Sequence, residues 1–61
     1  MNKLKEARKR SGVTQQQLAN ELGVTVQRYQ QMEKRPERVR VEQAQIICDR
    51  IKERPERIFF E

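Results

Sequence analysis

The stretch V26-Q-R-Y-Q-Q-M-E33 concentrates side chains that can read or grip a polar partner: Gln27, Arg28, Gln30 and Gln31, with Val26 at its head. A glutamine amide carries an acceptor and two donors in one plane. Presented by a helix lying in the major groove of B-DNA, it can make a bidentate contact with adenine, and an apolar neighbour such as Val26 can meet a thymine methyl. Gln27 and Gln31 stand four residues apart, so on a helix they share a face and can reach neighbouring base pairs together. Glutamine-rich helix faces are also often no more than solvated surface. How the stretch is positioned decides between the two.

The flanking residues bear on that positioning. Gln15 would be the first residue of a preceding helix, where free backbone N–H groups favour a phosphate, and its own amide can add a contact. Thr25 can cap the helix that carries the glutamines. Behind it come Lys34, Arg35, Arg38 and Arg40, cations able to hold a sugar-phosphate backbone while the glutamines supply selectivity. Lys9 and Arg10 can add attraction at a distance, though a solvated surface accounts for them better.

Charge follows the same division. The 61-residue chain carries 14 Lys and Arg against nine Asp and Glu, a net of +5. Residues 1–40 hold +6 and residues 41–61 hold −1, so the excess suits a polyanion at one end and packing or a protein contact at the other. Hydrophobic residues make up 34% and charged residues 38%. The apolar positions recur at helical spacing, which argues for a fold and against disorder. A chain of this length is expected to be one domain over residues 1–61, with a small core that buries about 60% of its unfolded surface.

Much chemistry is excluded. Histidine is absent and Cys48 is the lone cysteine, so no Ser–His or Cys–His nucleophile, zinc-finger ligand set or disulfide framework exists. The two glycines stand singly as helix terminators and make no phosphate-binding loop. The expectation is a non-enzyme without metal or cofactor. No apolar run approaches the roughly 20 residues of a membrane span, and Met1–Gly12 lacks a signal-peptide core, so a cytoplasmic location without membrane contact is expected.

The elements that must hold these residues are five short helices, an all-α bundle. Asn2 can cap the first, with Leu4 and Ala7 inward and Gly12 at its end. Thr14 and Gln17 form a capping-box pattern for the second, with Val13 set to staple onto Leu18 and with Leu18, Ala19 and Leu22 buried. Gly23 ends it, and Thr25 opens the third after a three-residue link, which holds two helices at a steep angle. Tyr29 and Met32 point inward. Pro36 stops the third helix at Arg35. Val41, Ala44, Ile47, Cys48 and Ile51 mark the buried stripe of the fourth. Pro55 starts the fifth, with Ile58 and Phe59 closing the core.

The pattern R8-x4-V13-T14-Q15-x2-L18-A19-x2-L22-G23-V24-T25-x3-Y29-x2-M32-E33 resembles the Cro and phage-repressor helix-turn-helix domains, the XRE family. The likeness runs from Leu4 to Phe59. It implies a helix-turn-helix formed by the second and third helices, base reading from Val26, Gln27 and Gln31 with Arg28 beside them, and a Gln15 that contacts the operator backbone and supports a base-reading glutamine. It implies too a partly buried ion pair between Arg8 and Glu33. The chain departs from the usual family pattern in three places. Arg35 stands where glycine is frequent, Val39 and Arg40 where proline and a Ser or Thr cap are frequent, and Lys52–Glu53 where a small and an apolar residue precede the last helix.

The function expected is sequence-specific binding of a double-stranded DNA operator as a transcriptional regulator, a phage or prophage Cro-like repressor at an inverted repeat. A weak homodimer, formed or strengthened on DNA, is expected through Ile46 and Phe60, which lie off the inward stripes. The sequence leaves two alternatives open. One is an antitoxin that represses its own operon and binds a toxin partner. The other is a protein-interaction module that reuses the fold without specific DNA binding.

Overall fold

Three of the helices begin at a side-chain oxygen that accepts from the first turn. In the computed structural model, which describes residues 2–59, Asn2 Oδ1 accepts from the Lys5 amide at 3.0 Å and opens α1, Lys3–Ser11. Thr14 opens α2, Gln15–Leu22, with a complete capping box. Its hydroxyl accepts from the Gln17 N–H at 3.1 Å, and Gln17 Oε1 accepts from the Thr14 N–H at 2.9 Å. Thr25 opens α3, Val26–Lys34, by accepting from the Arg28 amide at 3.1 Å. Between α2 and α3 the backbone turns at Gly23, whose φ of 70° is left-handed, so the link needs only Gly23, Val24 and Thr25.

Pro36 governs the exit from α3. Arg35 leaves helical geometry at φ −130° and ψ 69°, and residues Pro36–Arg38 form one 3₁₀ turn. The fourth helix, α4, spans Val41–Ile51 and starts less well than the others. Arg40 has no acceptor oxygen, so only the reverse half of a capping box forms: Gln43 Oε1 accepts from the Arg40 N–H at 3.3 Å. A short α5, Pro55–Ile58, begins at its proline.

The fold is all-α, and among the described residues no strand occurs. Helix α2 packs on both α3 and α4, and α1 packs on α4. Leu4, Ala7, Val13, Leu18, Ala19, Tyr29, Met32, Ile47 and Ile51 form the core, with Leu22, Val24, Val26, Val39, Ile58 and Phe59 partly buried against it. Ala19 has no exposed surface; its small side chain allows α2 to sit close to its neighbours. Cys48 is buried as a small hydrophobe. Burial, then the nearby acids Glu53, Asp49 and Glu56, push its thiol up to about 11.

Two expectations about the core need correction. Val41 is 58% exposed, although its spacing puts it on the α4 stripe. It is the first residue of the helix, and covered positions begin one turn later at Ala44. Leu22 is half-buried where full burial was expected, since it is the last residue of α2 and the chain turns away at Gly23.

The end of α4 shows what Lys52 does. It is the only non-glycine residue with positive φ among those described, at φ 62° and ψ 43°, and the Glu53 N–H beyond it bonds to the Cys48 carbonyl at 3.0 Å. The left-handed conformation costs an L-residue about 1–2 kcal/mol, while glycine adds roughly 0.5–1 kcal/mol of unfolded-state entropy. Lys52→Gly should therefore raise stability by about 0.5–1 kcal/mol, visible as a higher urea midpoint with an unchanged denaturant slope.

Candidate nucleic-acid interface

Glu33, near the end of α3, is 3% exposed and is held by α1 and α2 together. Arg8 of α1 reaches it with two donors, Nε to Oε2 at 2.8 Å and Nη2 to Oε1 at 3.2 Å. The remaining Arg8 nitrogen, Nη1, donates to the Val13 carbonyl at 3.1 Å, which fastens the α1–α2 link to the same guanidinium. Gln15, the first residue of α2, donates its amide to Glu33 Oε1 at 3.2 Å. Asn2 donates from Nδ2 to the Glu33 main-chain carbonyl, so the cap of α1 also grips the last turn of α3.

Burial by itself would raise the Glu33 pKa. The Arg8 hydrogen bonds, the Tyr29 hydroxyl, the Arg8 charge and the Gln15 amide outweigh it, and the carboxyl lies below its ordinary value. The Tyr29 hydroxyl sits beside the pair, fully buried, with no hydrogen bond of standard geometry among the described residues. Burial, then the adjacent Glu33 carboxylate, shift its pKa upward, so this phenol stays neutral.

With α3 fastened in this way, its opposite face lies open. Gln27, Arg28, Gln30 and Gln31 are exposed, whereas Val26 is half-buried against the core. On one flank α3, the 3₁₀ turn and the start of α4 enclose an open groove of about 650 Å³, lined by Arg28, Gln31, Met32, Lys34, Arg35, Arg38, Arg40 and Gln43. The four cations expected to lie beyond the reading helix share this groove. Arg28, grouped by sequence with the base-reading residues, sits there with them. Among the described residues, five positive side chains and no acidic one line the depression, an arrangement suited to a phosphate backbone.

On the other flank, Gln15 Oε1 accepts from Gln30 Nε2 at 3.3 Å, joining the start of α2 to the exposed face of α3. The Thr25 hydroxyl is engaged as an acceptor in its cap and keeps its proton for a further partner. Sequence reasoning did not single out Gln43, which belongs to a different helix. It recognised Gln30 as an outer-face residue, but its tie to Gln15 spans 15 residues and has no local signal.

Other surface groups are placed elsewhere. Arg10 pairs with Glu53 at 3.6 Å and Arg50 with Glu21 at 3.7 Å, exposed contacts worth little individually. Ile46 is 40% exposed on α4. Phe60, expected to accompany it, lies outside the described residues.

The pair's energetics have a definite sign. Glu33 has a folded pKa below the unfolded value near 4.5, so its contribution is fully present above that pH and is lost as pH falls through the folded value. Glu33→Gln should cost about 3 kcal/mol at neutral pH, because it leaves the buried Arg8 charge uncompensated, and should flatten the loss of stability below about pH 4.5. Replacing both partners, Arg8→Met with Glu33→Leu, should cost less than either change alone. Urea denaturation from pH 3 to pH 7 measures both effects.

A helix-turn-helix family model matches residues 4–58, taking in all five helices apart from the first residue of α1. Searches of curated proteins and of solved structures return no significant match. Nearly the whole chain is matched, with α2 and α3 packed together across the Gly23–Val24–Thr25 link and the open face of α3 beside a basic groove. The chain therefore belongs to the XRE-type helix-turn-helix family of DNA-binding transcriptional regulators.

Proposed function

We propose that the protein represses transcription by recognising an inverted-repeat operator, in the manner of a phage or prophage Cro-like repressor. The observation that carries this reading is the joining of reading and gripping groups. Gln31 lines the same groove as Arg28, Lys34, Arg35, Arg38 and Arg40, and Gln27 stands one helical turn from Gln31 on α3. With α3 in the major groove, Gln27 and Gln31 meet base edges, and Val26 offers a methyl contact from the helix start. The cations of the groove lie along the phosphates, and Gln15 and Thr25 meet the backbone at the helix N-termini.

Gln27→Ala and Gln31→Ala should each cost about 1–3 kcal/mol of discrimination against a wrong base pair. The measurement is the affinity ratio between the preferred and a scrambled duplex at identical salt. Equal losses on both duplexes would remove these residues from the reading set. Neutralising Lys34, Arg35, Arg38 and Arg40 together should weaken both duplexes and lower the slope of log affinity against log salt by about 0.9 per lost contact. An unchanged slope would place the groove away from the backbone.

One reading helix spans only a few base pairs, so specificity calls for two copies on half-sites about 34 Å apart. The exposed Ile46 offers a small apolar contact for a dimer that DNA strengthens, and the sequence position of Phe60 makes it the second candidate. Binding-site selection from random DNA should return a palindrome bound by two chains in ultracentrifugation. A reproducible site without dyad symmetry, bound by one chain, would overturn the dimer. Absence of any preferred site would favour a protein-interaction module.

A further inference from the structure

Residues 41–61 carry a net charge of −1, yet folding gathers three of their four cations into one place. Two adjoining depressions lie where the outer side of α1 meets the link between α4 and α5. One is lined by Lys3, Glu6, Arg10, Glu53, Arg57 and Ile58, the other by Lys52, Glu53, Arg54 and Arg57. They share Glu53 and Arg57, so they form one surface with five cations and two carboxylates. Glu53 pairs with Arg10 at 3.6 Å. Lys52, Arg54 and Arg57 are exposed and, among the described residues, form no ion pair.

A backbone outlier lies within this surface. Lys52 is held at φ 62°, in the left-handed region that glycine adopts without steric penalty, so the position carries its ammonium against the local preference. Strain that coincides with unpaired charge marks a candidate for function.

The surface is remote from the reading helix. Arg8 faces Glu33 of α3, and at 3.6 residues per turn Lys3 and Arg10 project roughly 140–160° away from it around α1. Lys52 ends α4, while Arg40, at the start of that helix, lines the basic groove; the eleven residues between them span about 16 Å. The chemistry differs as well. Among the described residues no acidic side chain lines the groove, whereas here Glu6 and Glu53 stand among the cations beside the half-buried Ile58. A duplex presents phosphate at every step and would meet those carboxylates with repulsion. A peptide can set carboxylates against the cations, a donor against Glu6 and an apolar side chain against Ile58.

We infer that this end of the molecule is a docking surface for an acidic peptide segment of a partner protein, recognised by Lys52, Arg54 and Arg57. It is open while α3 lies on DNA, and it stands or falls apart from the DNA-reading function.

The probe is a fluorescein-labelled peptide in which glutamates flank a central leucine; its control has glutamine at every glutamate. Anisotropy titrations at about 0.1 M salt, with and without excess unlabelled duplex, compare wild type, Lys52→Gly and the double variant Arg54→Gln, Arg57→Gln. Urea denaturation checks each fold. The glutamate peptide should bind equally with and without duplex, and the glutamine peptide should not bind. Lys52→Gly should bind the peptide about 2- to 5-fold more weakly although glycine stabilises the fold, and the double variant about 5- to 20-fold more weakly. Both should keep the wild-type salt slope on duplex DNA, because the surface lies beyond a Debye length of about 10 Å from the groove. Equal binding of the two peptides, binding of neither, or affinities unmoved by the substitutions overturns the docking surface. So does displacement of the peptide by duplex, which would place it in the basic groove. A shallower salt slope for the double variant overturns it too, as the mark of a phosphate contact. A wild-type protein that binds the peptide but no duplex overturns the reading function and leaves this surface standing.

Discussion

The buried pair between Arg8 and Glu33 is the constraint on which the arrangement of helices depends. Two parallel donors from Arg8 reach the carboxylate, a third donor holds the Val13 carbonyl, and Gln15 and Asn2 attach to the same glutamate. One side chain of α3 is thereby tied to the body of α1, its cap, and the first residue of α2. Apolar packing alone is non-directional and tolerates sliding; bidentate charge-assisted bonds do not. Desolvation offsets much of the attraction, so the pair's main contribution is to geometry. It holds the angle and register of α3, whose opposite face lies open.

That arrangement divides the exposed face of α3 into two flanks of different chemistry. Toward the 3₁₀ turn and α4 lie the cations, whose long flexible side chains can track a phosphate backbone without demanding one geometry. Toward α2 lies a neutral amide joined through Gln15 to the buried pair. Charge is concentrated on the first flank, and an amide of fixed polarity lies on the second. The same glutamate that sets the helix is joined to the exposed amide, so the hydrogen-bond network that holds α3 from behind reaches its outer face.

The C-terminal third is built with looser local chemistry. Helix α4 starts at an arginine that cannot cap it and ends at a lysine in a left-handed conformation. Neither choice is the most favourable locally. The helix nevertheless forms because Ala44, Ile47, Cys48 and Ile51 are buried along one stripe. Tertiary packing overrides weak ends, as it does for most short helices.

Local chemistry in the sequence determined the helix starts and stops. Asn2, Thr14 and Thr25 supply cap oxygens, Gly12 and Gly23 supply left-handed turns, and Pro36 ends α3; each acts within three or four residues, so each is legible from spacing alone. The inward set Leu4, Ala7, Leu18, Ala19, Tyr29 and Met32 was equally legible, because burial follows helical period. Family resemblance, not spacing, pointed to Arg8 and Glu33. Tertiary structure decided the rest. It exposed Val41 at a helix end where the period called for burial, drew Arg28 into the basic groove beside Gln43 of another helix, and linked Gln30 through Gln15 to Glu33. These outcomes depend on where separate helices come to lie against one another. Periodicity specifies the faces of a helix, but only the packed arrangement specifies what each face meets.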